Sequence, residues 1–136
     1  MSFVSIGDVQ QAVYQNLIGN SQLVLLLAQG AQSVFDAVPH NAIFPYLAIG
    51  QVKSEAFDTM ADTGQEITIT FHVWSKYQGH KEIHGILDAL YQVIHQNEFI
   101  LSGHTVVLAK HIKTETSAKN DGQTKEAVFQ FKLFVE

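Results

Sequence analysis

The sequence predicts an α+β domain: a mainly antiparallel four-stranded sheet with helices packed on one face. Three observations carry this reading. In residues 65–75, Ile67, Ile69, Phe71 and Val73 alternate with Thr68, Thr70, His72 and Trp74, the period of a strand with one buried face. Ile83, Ile86, Leu87, Leu90, Val93 and Ile94 recur at spacings of three and four, which is the apolar stripe of an amphipathic helix. Ala127, Phe129, Phe131, Leu133 and Val135 alternate with Val128, Gln130, Lys132 and Phe134, a second strand of the same kind.

The remaining elements follow in chain order. Val9, Ala12, Val13 and Leu17 fall at helical spacing, and Asp8 before them can accept orphan backbone N–H groups as an N-cap. After Gly19 and Asn20, Ser21 is expected to cap a short buried helix over 22–29, stopped by Gly30. Residues 33–42 read as a connector, and 45–52 as a strand with Pro45 at its start, where no ladder N–H is needed. A polar loop is expected at 53–64, then the strand 65–75 and the helix from Gly79 to about Gln96. Residues 104–113 read as a strand. Residues 114–126 are polar and contain Asn120-Asp121-Gly122, a turn signal. The order is helix, helix, strand, strand, helix, strand, strand. Two strand pairs around a helix suggest an antiparallel sheet with its helices on one side, in one domain over residues 1–136.

Composition narrows the function classes. The 136 residues are 46% hydrophobic and 15% charged, enough apolar surface to form a core and exclude general disorder. There is no cysteine, which excludes disulfides, thiolate catalysis and cysteine-based zinc sites. The net charge is −5 and all eight basic residues are lysines, a poor endowment for gripping phosphate or reading bases. The first residues carry no basic stretch or apolar run of the signal-peptide kind, and the longest apolar run, 23–28, is far shorter than the ~20 residues of a membrane-spanning helix. The expectation is a soluble chain made in the cytoplasm, without membrane contact.

The most enzyme-like feature is the set His80, His84 and His95 on one face of the third helix, where an i, i+4 histidine pair can hold zinc. The zinc-protease pattern needs the glutamate directly after the first histidine. Glu82 stands two residues on, about 200° round the helix. Asp58, Asp62 and Glu66 are spaced by four in polar sequence with no apolar pocket to shift a pKa. No nucleophile elbow or phosphate-binding glycine pattern occurs. No catalytic, cofactor-binding or metal-binding residue is therefore expected, and no cofactor.

Three segments taken together resemble the tail-completion family of long-tailed phages, prophages and gene transfer agents. The first is Val34-Phe35-Asp36-Ala37-Val38-Pro39 with Phe44-Pro45-Tyr46-Leu47-Ala48-Ile49-Gly50. The second is Gly64-Gln65-Glu66-Ile67-Thr68-Ile69-Thr70-Phe71-His72-Val73-Trp74-Ser75, leading to Gly79. The third is Asp121-Gly122-Gln123-Thr124 before the strand 127–136. Lys76 and Lys132 stand where members of that family often carry arginines.

The resemblance implies a non-enzymatic virion assembly subunit, usually a hexameric ring on the head-proximal end of the tail tube. Such a ring stops tube growth and takes part in head–tail joining. The implied partners are copies of the chain itself, the tail tube protein and the head–tail connector protein, with DNA passing through the ring without specific binding. The implied place is the host cytoplasm during assembly and then the virion tail. The residue-level candidates for the assembly interface are Phe57, Asp58 and Met60 in the first polar loop, Asp121 in the second, Trp74 and Phe134 on outer strand faces, and Lys76 and Lys132. Both loops are expected to become ordered against neighbouring subunits. Another phage morphogenesis adaptor, such as a connector or tube subunit, and a small metal enzyme using His80 and His84 are the alternative readings.

Overall fold

The computed structural model describes residues 5–58, 63–96, 99, 101 and 103–136. Helix α1 spans Ile6–Ile18 and buries Val9, Val13 and Leu17. Its N-cap is Ser5, whose hydroxyl accepts from the Asp8 N–H at 3.0 Å. Asp8 sits instead in the first turn, where a negative charge complements the exposed N–H groups. Helix α2 is only Ser21–Val24 and is capped by Asn20, not Ser21. It stops short of residue 29 because the Ala28 N–H donates to the Pro45 carbonyl at 3.0 Å. The stretch read as buried also leaves Leu25 82% exposed. A 3-10 turn, Gly30–Ser33, follows, with Gly30 at φ 61°.

Among the described residues the sheet has five strands and is mixed, which corrects the expectation of a mainly antiparallel four-stranded sheet. Strand β1, Val34–Phe35, lies in the stretch read as a connector. It pairs parallel with β2, Tyr46–Asp58, through Leu47 and Ala48. Strand β3 is Thr63–Ser75, β4 is Val106–Ala118 and β5 is Lys125–Val135, and the strand order is β1-β2-β3-β5-β4. Every pairing except β1 with β2 is antiparallel.

Helix α3, Lys81–Gln96, buries the full predicted stripe of Ile83, Ile86, Leu87, Leu90, Val93 and Ile94. This stripe joins α1, α2 and the inner sheet residues Leu47, Ile49, Ile67, Ile69, Phe71, Val73, Phe129, Phe131 and Leu133 in one core. The helices thus share one face of the sheet, as the α+β reading requires.

The two polar stretches are mostly not loops. β2 continues through Lys53 to Asp58, β3 already begins at Thr63, and β4 runs on to Ala118. Their polarity reflects exposure: β4 has no buried position. A strand wet on both faces has no hydrophobic alternation to announce it.

Candidate assembly interface

The face of the sheet opposite the helices is built from the alternate positions of β3 and β5. Register sets Glu66 opposite Phe134, Thr68 opposite Lys132, Thr70 opposite Gln130, His72 opposite Val128 and Trp74 opposite Glu126. A polar ladder crosses it. Lys132 pairs with Glu66. The Gln130 amide donates to Thr70 Oγ1 at 3.1 Å. Glu126 is held by His72 Nδ1 at 2.9 Å and Lys119 Nζ at 2.7 Å. Burial pushes the Glu126 carboxyl up, but the hydrogen bonds from Lys119 and His72 outweigh it, and the net shift is downward.

An aromatic cluster closes one end of this face. Tyr46 is opposite Trp74 across β2 and β3, and their rings stack at 6.5 Å. Phe44 and Phe35 lie 5.0 and 5.6 Å from the Tyr46 ring. Two lysines cover the cluster: Lys119 Nζ is 5.3 Å from the Trp74 ring centre and Lys76 Nζ 4.5 Å from that of Phe44, each within cation–π range. Burial, and then the nearby Glu126 charge, raise the Tyr46 phenol above its ordinary pKa.

The structure separates the eight predicted interface residues into distinct places. Trp74 is half-buried and Lys76 exposed at the aromatic end. Lys132 and the half-buried Phe134 stand at the far end of β5 on the same face. Asp121 organises the β4–β5 turn: its carboxylate accepts from the Gln123 and Thr124 N–H groups at 2.9 and 2.7 Å and from the Thr124 hydroxyl. Those bonds lower its pKa to about 2. Phe57 and Asp58 occupy the end of β2, paired with Gly64 and Thr63. Met60 lies outside the described residues.

The enzyme-like groups do not converge. The His80 and His84 rings are 5.7 Å apart, while His95 stacks on Tyr91 at 5.9 Å. Glu82 accepts a hydrogen bond from Ser75 Oγ at 2.7 Å and is thereby turned to the sheet. Among the described residues no three His, Asp or Glu side chains form a metal-binding group. Glu66 belongs to Lys132, and Asp62 lies outside the described residues. A groove of about 570 Å³ between α1 and the end of α3 is lined largely by the amides of Gln11, Gln15, Asn16, Asn20 and Gln96. Its one carboxylate, Asp8, has no histidine or lysine beside it in that lining.

Sequence reasoning missed the two sheet edges. β4 is an outermost strand with Val107, Leu108 and Ile112 exposed by 55, 49 and 38%. β1 covers the opposite edge of β2 only at Leu47 and Ala48. The available signal was the spacing Lys-x-Glu at 53–55 and again at 113–115, charges alternating with small or β-branched residues.

Comparison with known proteins matches residues 11–136 to the family described as tail completion protein gp17. The tail completion protein gp17 of Bacillus phage SPP1 is 25% identical over 127 residues, covering 93% of this chain and 91% of that protein. A chain in the virion of a native gene transfer agent particle superposes with a TM-score of 0.84 at 20% identity, covering 99% of both chains. The structure of SPP1 gp17 superposes with a TM-score of 0.65 at 21% identity, covering 95% of this chain and 91% of that one.

Proposed function

Because the chain belongs to the tail completion protein gp17 family, we propose that it is a structural virion subunit that closes the head-proximal end of a long tail tube. In this reading several copies, six by the family resemblance, form a ring. The ring ends tube growth and presents a surface to the head–tail connector, and DNA passes through its lumen. The carrying observation is the family match across residues 11–136. The outer sheet face supports it. A self-paired polar ladder with an aromatic cluster at one end suits contact and passage.

The test is electron microscopy of particles assembled with and without the chain. Without it, tails are expected to run past their normal length and to remain unjoined to heads. Tails of normal length attached to heads in its absence would overturn the reading. Long tubes of the purified chain alone would indicate a tube subunit instead.

A further inference from the structure

We propose that neighbouring copies in the ring join sheet to sheet, the free edge of β4 in one copy pairing antiparallel with the free edge of β2 in the next. The salt links of the joint are Lys113 to Glu55 and Glu115 to Lys53. This rests on the ring reading above and specifies its subunit contact.

Both edges are long and open. β4 and β2 each have 13 residues, and among the described residues the only strand on either outer edge is the two-residue β1. Unpaired ladder groups on a long edge are a template for another chain, and Val107, Leu108 and Ile112 add exposed apolar surface to the β4 edge. A joint between two different patches repeats head to tail and closes a ring when the rotation closes.

Strand direction fits. β2, β3, β5 and β4 alternate in direction, so β4 runs opposite to β2. Copies related by rotation about an axis along the strands keep their directions. β4 of one copy then meets β2 of the next antiparallel.

The charges fit as well. Lys53 is opposite Thr68 and Glu55 opposite Glu66, while Glu115 is opposite Val128 and Lys113 opposite Gln130. These partners belong to the outer face, so both Lys-x-Glu pairs point to the same side of the sheet. Reversing one strand against the other brings each lysine onto a glutamate, with Thr114 opposite Ser54 between them. Among the described residues the same groups form exposed i, i+2 contacts, Lys53–Glu55 at 3.1 Å and Lys113–Glu115 at 3.3 Å, with side chains 49–66% exposed. Such surface pairs add little to the stability of a single copy.

The row through Glu55 reaches β5 at Phe134, and that through Lys113 reaches it at Gln130. Each copy is therefore displaced by four residues along the strands. Over four strands this is a tilt of about 35°, as closed sheets require. The even step also keeps the alternation of ladder hydrogen bonds in phase.

The absence of cysteine permits a clean test. Tails carrying the S54C/T114C variant are oxidised and their ring protein is resolved without reductant. The expected result is a ladder of linked copies up to the full ring, absent from either single variant. In parallel, E55K is expected to abolish the ring and E55K/K113E to restore it, while both fold with an unchanged melting curve. A ring that forms normally but shows neither the ladder nor the charge-swap loss and rescue overturns this joint and leaves the ring reading standing. Normal tails ended by a single copy overturn the ring reading and the joint with it.

Discussion

At the scale of single residues, Glu126 ties the outer face together. Its carboxylate accepts from His72 on β3 and from Lys119 at the β4–β5 turn, and it is 15% exposed. Lys119 in turn covers the Trp74 ring. A charge-assisted hydrogen bond contributes about 1.5–3 kcal/mol when buried, but Lys119 is 41% exposed, so solvent screening reduces its share. E126Q is expected to lose about 1–2 kcal/mol at neutral pH. The sign of the pH dependence follows from the lowered Glu126 pKa. The folded state favours the charged carboxylate, so its contribution is complete above the unfolded value of about 4.3 and is lost as pH falls through the lower folded value. Thermal melts at pH 7 and at stepwise lower pH check this: the gap between wild type and E126Q should be steady near neutrality and close in acid. A gap that widens as pH falls would contradict it.

At the scale of elements, the bulge of β2 between Ile49 and Val52 seats the strand against the ring of His72. A Cβ on Gly50 would lie 2.8 Å from His72 Cδ2 and Nε2 and 3.0 Å from the Thr70 carbonyl oxygen. The ring is not free to swing aside, since its Nδ1 is bonded to Glu126, and the carbonyl is backbone. G50A is therefore expected to cost about 1–3 kcal/mol, as overpacking does, measured by urea unfolding. Removing the ring should relieve part of the strain, so G50A/H72A should cost less than the sum of G50A and H72A. This contact also marks the limit of what the sequence makes legible. Helix α3 and strands β3 and β5 are plain in it because each buries an alternating or three-and-four stripe. Residues 53–56 and 114–118 are strand without a buried face, and their polarity reads as loop. β1 is too short to carry a period, and α2 ends early because Ala28 bonds to Pro45, a partner 17 residues away. Of the candidate site, Trp74 and Lys76 are legible as a place, because the alternation of β3 fixes the face. The aromatic cluster around Tyr46 is not, because it depends on which strands are neighbours.

At the scale of the whole molecule, the net charge of −5 suggests an acidic wall past which DNA slides, but the outer sheet face is not acidic. Register and pairing put Lys53, Lys110, Lys113, Lys119 and Lys132 on it with Glu55, Glu66, Glu115 and Glu126. Four of the five lysines are matched within the chain, since Lys132 holds Glu66, Lys119 holds Glu126, and the two Lys-x-Glu pairs close on themselves. If this face lines the lumen of the proposed ring, passage of DNA depends on neutralisation at short range. At these four positions a phosphate meets a lysine whose charge is already answered, and little counterion release is gained by binding. Removing the answering charges should reveal the lysines. E66Q/E126Q is expected to retain duplex DNA at low salt, with an affinity that falls steeply as salt rises, whereas the wild-type ring shows no such retention at about 0.15 M. Fluorescence anisotropy of a labelled duplex across a salt series measures both. Equal, weak binding by wild type and variant would mean that the outer face does not meet the DNA. Strong binding by the wild type would mean that the pairing does not mask its lysines.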